Sequence, residues 1–323
     1  MKNLDKILIK FLILSLILFV FSLFFSKNGK NTPKAIDSAI LNPRHSSEIS
    51  QIEINVPYQE DGSIIFKKQG DFWLLEKDLP SGEKIISQAD SAIIESFIKN
   101  SSKIRKLYKV SDKSSDYESF SVSENSGIAV SFTGNNSKMY TKVHFGHSDS
   151  LKNRIYFRSE ASKITYECEN DFQQYLTTET NYWSEGKIIP EIKNPVQITV
   201  KMNESSIAQS SKMKRLDEKS SGFAYKSNTL LSLRHGQIRP EIAINSANYI
   251  STLSVQDGSG RMAKLDFFKK QKGEDESYFY RKSIQPSPVD SQENTFAFYS
   301  EKSAYEISAW TYEKIVQTVL TAE

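Results

Sequence analysis

Cysteine is nearly absent: Cys168 stands alone among 323 residues. A single thiol excludes an intrachain disulfide and a multi-cysteine metal site, and it excludes the small secreted scaffold that relies on disulfides. It is compatible with export to a bacterial envelope. Histidine is scarce too, with four in the chain. No excess of one charge exists either, since 42 basic residues face 39 acidic ones for a net charge of +3. That balance leaves no broad positive field for nucleic acid. The sequence contains no phosphate-binding P-loop, dinucleotide-binding glycine fingerprint, H-E-x-x-H pair or EF-hand loop. Its serines fall in neither G-x-S-x-G nor S-x-x-K.

One long apolar run is present. Phe11 to Phe25 holds only Phe, Leu, Ile, Val and Ser, with Lys2, Lys6 and Lys10 before it and Lys27 and Lys30 after it. Extended back to Ile7 it reaches about 20 residues, or ~30 Å of helix, the thickness of the hydrocarbon layer. Lys10 then lies near the inner face with its ammonium reaching outward. A cleaved signal peptide is the competing reading. The following Ser26-Lys27-Asn28-Gly29-Lys30-Asn31 carries no pair of small residues for cleavage and no cysteine for lipid. Residues 1–26 are therefore read as one uncleaved N-terminal transmembrane helix. The ten-residue leading tail stays inside, and the chain from residue 27 faces the periplasm or cell exterior from a bacterial inner membrane.

Residues 27–48, polar and carrying Pro33 and Pro43, read as a tether. Folded sequence begins at Ile49, with strand patterns at Ile49–Val56, Ile64–Phe66 and Phe72–Leu75. Ser87-Gln88-Ala89-Asp90 reads as a capping box for a helix with an apolar face of Ile93, Ile94, Phe97 and Ile98. Alternating strands follow at Ile128–Phe132, Thr141–Phe145, Ile155–Arg158 and Ile164–Tyr166, with a hairpin turn at Gly134-Asn135-Asn136. A short helix over about 171–177 closes the unit and puts Cys168 at its start.

The order then recurs. Leu253 and Val255 alternate, Asp257-Gly258-Ser259-Gly260 turns, and Ala263, Leu265 and Phe267 return. Tyr278-Phe279-Tyr280-Arg281 matches Ile155-Tyr156-Phe157-Arg158, and Phe296-Ala297-Phe298 matches Ile164-Thr165-Tyr166. Ser303-Ala304-Tyr305-Glu306 reads as a second capping box, for a C-terminal helix with Ala304, Ile307, Thr311, Ile315 and Thr318 on one side. The expected fold is α+β: two related copies, 49–190 and 191–323, each a mostly antiparallel sheet with packed helices.

Sites of chemistry are hard to find. His144 and His147 point to opposite faces of a regular strand, so they make a poor metal pair unless Gly146 re-aims His147. His45 and His235 have no partner at ligand spacing. Glu167 and Glu169 oppose a reactive thiolate at Cys168, leaving a capping or buried thiol. Glu274-Asp275-Glu276 beside Lys269 and Lys270 reads as a solvated hairpin. Arg158 and Arg281, at matched positions, are read as outward strand residues or partners of nearby acids, with contact to a partner protein as the functional alternative. No catalytic, cofactor-binding or metal residue is assigned.

An ordered set of features in 49–190 resembles the bacterial domain-of-unknown-function family 4340. They are the opening Ile52-x-Ile54 strand, Phe72-Trp73-Leu74-Leu75-Glu76-Lys77 and Ile86-Ser87-Gln88-Ala89-Asp90. Asp116-Tyr117-Glu118-Ser119-Phe120-Ser121-Val122, Val143-His144-Phe145-Gly146 and Ile155-Tyr156-Phe157-Arg158 follow. The chain departs from that pattern by lacking a glycine in 117–122. The resemblance implies an anchored envelope protein of the kind often encoded beside ABC-type export components similar to the gliding-motility transporter, and it supplies no active site. The expected function is a non-enzymatic auxiliary subunit of an ABC-type transporter complex, contacting a membrane partner such as a permease. A glycan- or lipid-binding module, with an aromatic groove between the copies, is the alternative, and an envelope hydrolase is the weaker one.

Overall fold

A computed structural model describes residues 35–57, 59, 62–70, 72–203, 213–272, 275–285 and 303–320, together with Ser15. Apart from Ser15, the apolar run Phe11–Phe25 lies outside the described residues, as do 27–34 of the tether. No helix among the described residues is long and apolar enough to cross a membrane.

Two antiparallel sheets organise the chain. The first contains β1 (Ala35–Ser38), β2 (Ile49–Asn55), β3 (Ser63–Gln69), β4 (Phe72–Asp78) and β5 (Lys84–Ala89). After helix α1 (Ser91–Ser102) come β6 (Arg105–Ser111), β7 (Ile128–Gly134), β8 (Met139–Ser148), β9 (Arg154–Ser159) and β10 (Thr165–Glu169). Their order across the sheet is β1-β6-β10-β9-β8-β7-β2-β3-β4-β5. Period-two alternation sends Ile52, Ile54, Phe66, Val130, Phe132, Val143 and Phe145 to one face, where all are buried. Helix α1 covers that face with Ile94, Phe97 and Ile98. Phe97 packs on Phe132 at 5.5 Å, Tyr175 at 4.9 Å and Trp183 at 5.9 Å between ring centroids.

The short helix α2 (Thr180–Trp183) leads to the second sheet. This comprises β11 (Pro195–Met202), β12 (Met213–Asp217), helix α3 (Phe223–Ser232), β13 (Ile238–Pro240), β14 (Asn248–Asp257), β15 (Met262–Lys272), β16 (Asp275–Gln285) and β17 (Ser303–Ile307). Helix α4 (Ala309–Leu320) follows and buries Tyr312, Ile315 and Val319. The order is β12-β11-β14-β15-β16-β17-β13.

Seven strands of each sheet share one arrangement. β3-β2-β7-β8-β9-β10-β6 and β12-β11-β14-β15-β16-β17-β13 run in the same spatial and chain order, each with a helix before its last-named strand. The pairing registers correspond along the middle of the strands. His144 lies between Ala129 and Arg158, as Asp266 lies between Thr252 and Arg281. Phe157 opposite Tyr166 corresponds to Tyr280 opposite Tyr305, and both ring pairs stack. β1, β4 and β5 are additions to the first sheet.

The units meet at the outer edge of β5. The Ser303 side chain bonds the main chain of Ile86, and the Ser87 and Tyr305 hydroxyls lie 2.8 Å apart. The linking segment adds isolated bridges Ala89–Ser184 and Lys187–Arg234. Lys282, which is buried, and the largely covered Glu191 side chain form an ion pair at 2.7 Å. One apolar cluster runs through both units. Buried residues of both units belong to that cluster.

Several local readings are corrected. Residues 35–48 are folded, not tether: β1 pairs with β6, and Leu41, fully buried, donates its N–H to the Ser101 carbonyl. Four residues of strand are too few to show a period in the sequence. Ser87 and Ser303 are strand residues, not caps, because the apolar period there is two. The helix caps are Asp90, which accepts from Ala92 and Ile93, and Ser308, which accepts from Thr311. Ala304 and Ile307 consequently belong to β17, and Thr318 is half-buried beside the apolar face of α4. The helix expected over 171–177 is only a 3-10 turn, Gln173–Tyr175, and Cys168 lies in β10. Phe296-Ala297-Phe298 lies outside the described residues, and Ser303–Ile307 pairs with β16 where it was expected.

Candidate functional site

In each sheet, residues that alternate with the core positions form an open face, and both open faces carry a groove at equivalent strand positions. The second sheet's groove, about 600 Å³, is lined by Thr199, Lys201, Thr252, Ser254, Lys264, Asp266 and Arg281, with Tyr249 and Phe268 at its apolar end. The first sheet's groove, about 320 Å³, is lined by Glu53, Asn55, Ala129, Ser131, Lys142 and His144, with Glu124 reaching in from a loop. By register, Glu53 and Asn55 stand where Thr199 and Lys201 do, Ala129 and Ser131 where Thr252 and Ser254 do, and Lys142 and His144 where Lys264 and Asp266 do.

Their electrostatics differ. In the second groove Asp266 accepts from Thr252 Oγ1 at 2.6 Å and Lys264 Nζ at 3.1 Å, and Tyr249 OH reaches Thr252 at 2.7 Å. Arg281 pairs with Glu241 at 3.2 Å. In the first groove Lys142 pairs with Glu160 at 3.1 Å, while Glu53 and Glu124 have no ion-pair or hydrogen-bond partner among the described residues. His144 is 1% exposed, and neither ring nitrogen has a hydrogen-bond partner among the described residues. Its burial, and then the neighbouring Arg158 guanidinium, push the imidazole below the usual histidine value, so it is neutral at pH 7.

The loop over 112–127 encloses one side of the first groove. Arg158, also buried, donates through Nε to the Val122 carbonyl at 3.1 Å and lies 4.5 Å from the Tyr117 ring centre. Phe120 packs on Tyr156 at 4.8 Å. The loop backbone passes so close to β8 that a Cβ on Gly146 would meet the Phe120 carbonyl oxygen at 1.9 Å, so only glycine fits there.

The matched arginines thus occupy the same register and do different things: Arg281 pairs with an acid at the surface, and Arg158 pins a loop. His147 lies edge-on to Tyr156 at 5.1 Å, and the β8–β9 register shifts between Phe145 and Ser148, which turns it away from a regular strand position. No group of three or more potential metal ligands occurs among the described residues. His45 stacks on Tyr140, and His235 lies against the Glu185 and Gly236 carbonyls. Burial raises the Cys168 thiol to about 12. Glu276 pairs with Lys269 at 2.6 Å, as the solvated-hairpin reading expects.

Sequence reading missed Glu53, Asn55, Glu124, Lys142, Lys201, Lys264 and Asp266. All but Glu124 are the polar alternates of core strands, at corresponding register positions of the two sheets. No family model matches this chain, and neither a curated protein nor a solved structure matches it.

Proposed function

We propose that this chain is a membrane-anchored envelope protein built from two related copies of one α+β unit, acting by protein–protein contact as a non-enzymatic auxiliary subunit of an ABC-type transporter complex. The observation that carries the two-copy reading is the shared seven-strand order with corresponding registers along the middle of the strands. Duplication preserves order and register together, and similarity of two unrelated sheets does not require both. The apolar run Phe11–Phe25 supports anchoring, and the ordered features in 49–190 that resemble family 4340 support the transporter setting. A buried cluster shared by the two units supports a single body that presents two grooved sheet faces to a partner.

Crosslinking in native membranes followed by mass spectrometry tests the proposal. The expected products join the chain to an ABC permease or ATPase; products that never include one count against the transporter role. Protease treatment of intact spheroplasts, with N-terminal sequencing of the mature chain, tests the anchor. Digestion of the part beyond residue 27 with the N-terminal segment retained is the expected result. The glycan or lipid alternative draws its support from the aromatic end of the second groove, Tyr249 and Phe268.

A further inference from the structure

The two grooves occupy the same slot in their sheets and carry opposite balances of charge. The first is lined by Glu53 and Glu124 against Lys142. The second is lined by Lys201, Lys264 and Arg281 against Asp266. Part of the difference lies on one strand, where Thr199 and Lys201 of β11 stand at the register positions of Glu53 and Asn55 of β2.

Side chains are what the second groove can offer a ligand. β11, β14, β15 and β16 each have a strand on both sides, so their main-chain donors and acceptors are spent in the sheet. Among the side chains, donors are in surplus. Asp266 supplies the carboxylate of the lining, and both its oxygens already accept, from Thr252 Oγ1 and Lys264 Nζ. Lys264 keeps its remaining N–H donors, and so does Arg281 after giving one to Glu241. The Lys201 ammonium is exposed and has no partner among the described residues. Arg215, opposite Thr199 on β12, is also exposed and without a side-chain partner there, and it adds a cation at the rim.

A peptide laid on this face would turn its own N–H groups toward cations. A ligand whose polar groups are carboxylates and hydroxyls is met throughout: the carboxylates by ammonium and guanidinium groups, the hydroxyls by Thr199 and Ser254. The apolar end, where Tyr249 and Phe268 stand edge to face at 6.0 Å, suits the C–H side of a sugar ring. The volume of about 600 Å³ lies within the roughly 300–1,000 Å³ of small-molecule sites.

We infer that the second groove binds an acidic oligosaccharide of the uronic-acid class, its carboxylates held by Lys201, Lys264 and Arg281. The inference rests on the glycan alternative for this groove and is separate from the transporter role. The first groove, with the charge reversed, does not take the same ligand.

Calorimetric titration of the full chain in phosphatidylcholine nanodiscs tests this, with trigalacturonate as the probe and its methyl ester and triglutamate as comparators. The expected result is saturable binding of trigalacturonate that weakens as salt is raised, and at least tenfold weaker binding of both comparators. T199E/K201N, which gives β11 the side chains that β2 carries at those positions, is expected to lower the affinity at least tenfold, as is K201E alone. K142N, in the first groove, is expected to leave it unchanged. An unchanged urea midpoint verifies the fold of each variant. Equal binding of the methyl ester overturns the acidic class and leaves the glycan alternative standing; no binding of either saccharide overturns both. Equal binding of triglutamate overturns the saccharide class. Undiminished affinity in the two β11 variants, or a loss in K142N, overturns the assignment to this groove.

Discussion

Ser303 closes the free edge of β5 with one hydroxyl: its Oγ accepts from the Ile86 N–H at 3.0 Å and donates to the Ile86 carbonyl at 2.8 Å. A sheet edge left open recruits other strands, and here a side chain of the second unit occupies it. Ser303→Ala leaves both main-chain groups without that partner at a junction closed to water on the Ser303 side. The expected loss is about 1–3 kcal/mol in urea unfolding. The same variant is expected to expose the β5 amides to hydrogen exchange before those of β7 or β8.

The Lys282–Glu191 pair ties the linking segment to β16, with the ammonium 5.7 Å from the Tyr305 ring centre. The side chains of Lys282 and Glu191 are 3% and 8% exposed, and Glu191 Oε2 has no hydrogen-bond partner among the described residues. Lys282→Met strands a buried carboxylate, and the expected cost is about 3–5 kcal/mol. Adding Glu191→Leu removes the stranded charge and is expected to return most of that loss. Denaturant unfolding of the two single variants and the double variant measures the coupling directly.

Strands with strict alternation were legible in the sequence: Ile128–Phe132 with Thr141–Phe145, and Leu253–Val255 with Ala263–Phe267, lie where period two puts them. The matched tetrapeptides Ile155–Arg158 and Tyr278–Arg281 do occupy corresponding register positions in the two sheets. What escaped was whatever depends on distant partners. β5 and β6 lie on either side of a helix and carry mixed patterns, Lys84–Ala89 and Arg105–Ser111. Capping was misplaced in both units for one reason: Ser87 and Ser303 fit the S-x-x-D/E pattern, yet each sits in a strand whose inward side chains are set by contact between the units. The grooves escaped because their lining residues are ordinary polar alternates, and His144 differs from a solvated strand histidine only through the loop above it.

That loop also sets a pH dependence. The folded pKa of His144 is depressed by burial and by Arg158, with Lys142 acting in the same direction and Glu160 and Glu124 opposing. As pH falls below about 6.5, the usual histidine value, the unfolded chain takes up a proton that the folded chain does not. Stability is therefore full above that pH and declines as pH falls through the depressed folded value. His235, also depressed by burial, acts with the same sign. Urea midpoints measured from pH 7.5 to 5.5 are expected to fall in the parent chain. They should fall less steeply in His144→Gln, with the remaining slope belonging to His235.

Cys168 provides an independent probe of unfolding. The thiol is fully buried in β10, and its pKa of about 12 leaves almost no thiolate at pH 8. An aromatic disulfide reagent is expected to leave the native chain unlabelled and to react at once with the chain in urea. Its native-state labelling rate is expected to rise in Ser303→Ala and Lys282→Met in proportion to their loss of stability, provided opening re-equilibrates faster than labelling. Rapid labelling of the parent chain at pH 8 would contradict the burial of β10.

Arg158 and Arg281 occupy corresponding register positions and play different roles. Both stand on the open face, one strand over from the central groove residue. Arg281 is half exposed and pairs with Glu241 at the surface, where water and salt screen the interaction; Arg281→Ala is expected to change stability by less than about 1 kcal/mol. Arg158 is buried, donates to the Val122 carbonyl and stacks over Tyr117. Arg158→Ala removes a charged donor from a buried carbonyl and a filling group from beneath the loop, with an expected cost of about 2–3 kcal/mol. Arg158→Lys keeps the charge without the planar fork and is expected to recover only part of it. Hydrogen exchange separates this from a global effect: the amides of 117–127 should lose protection in Arg158→Ala at denaturant concentrations where β2 and β7 remain protected. Equal costs at the two positions would mean that the loop gains nothing from Arg158, and that the first groove is open where the structure encloses it.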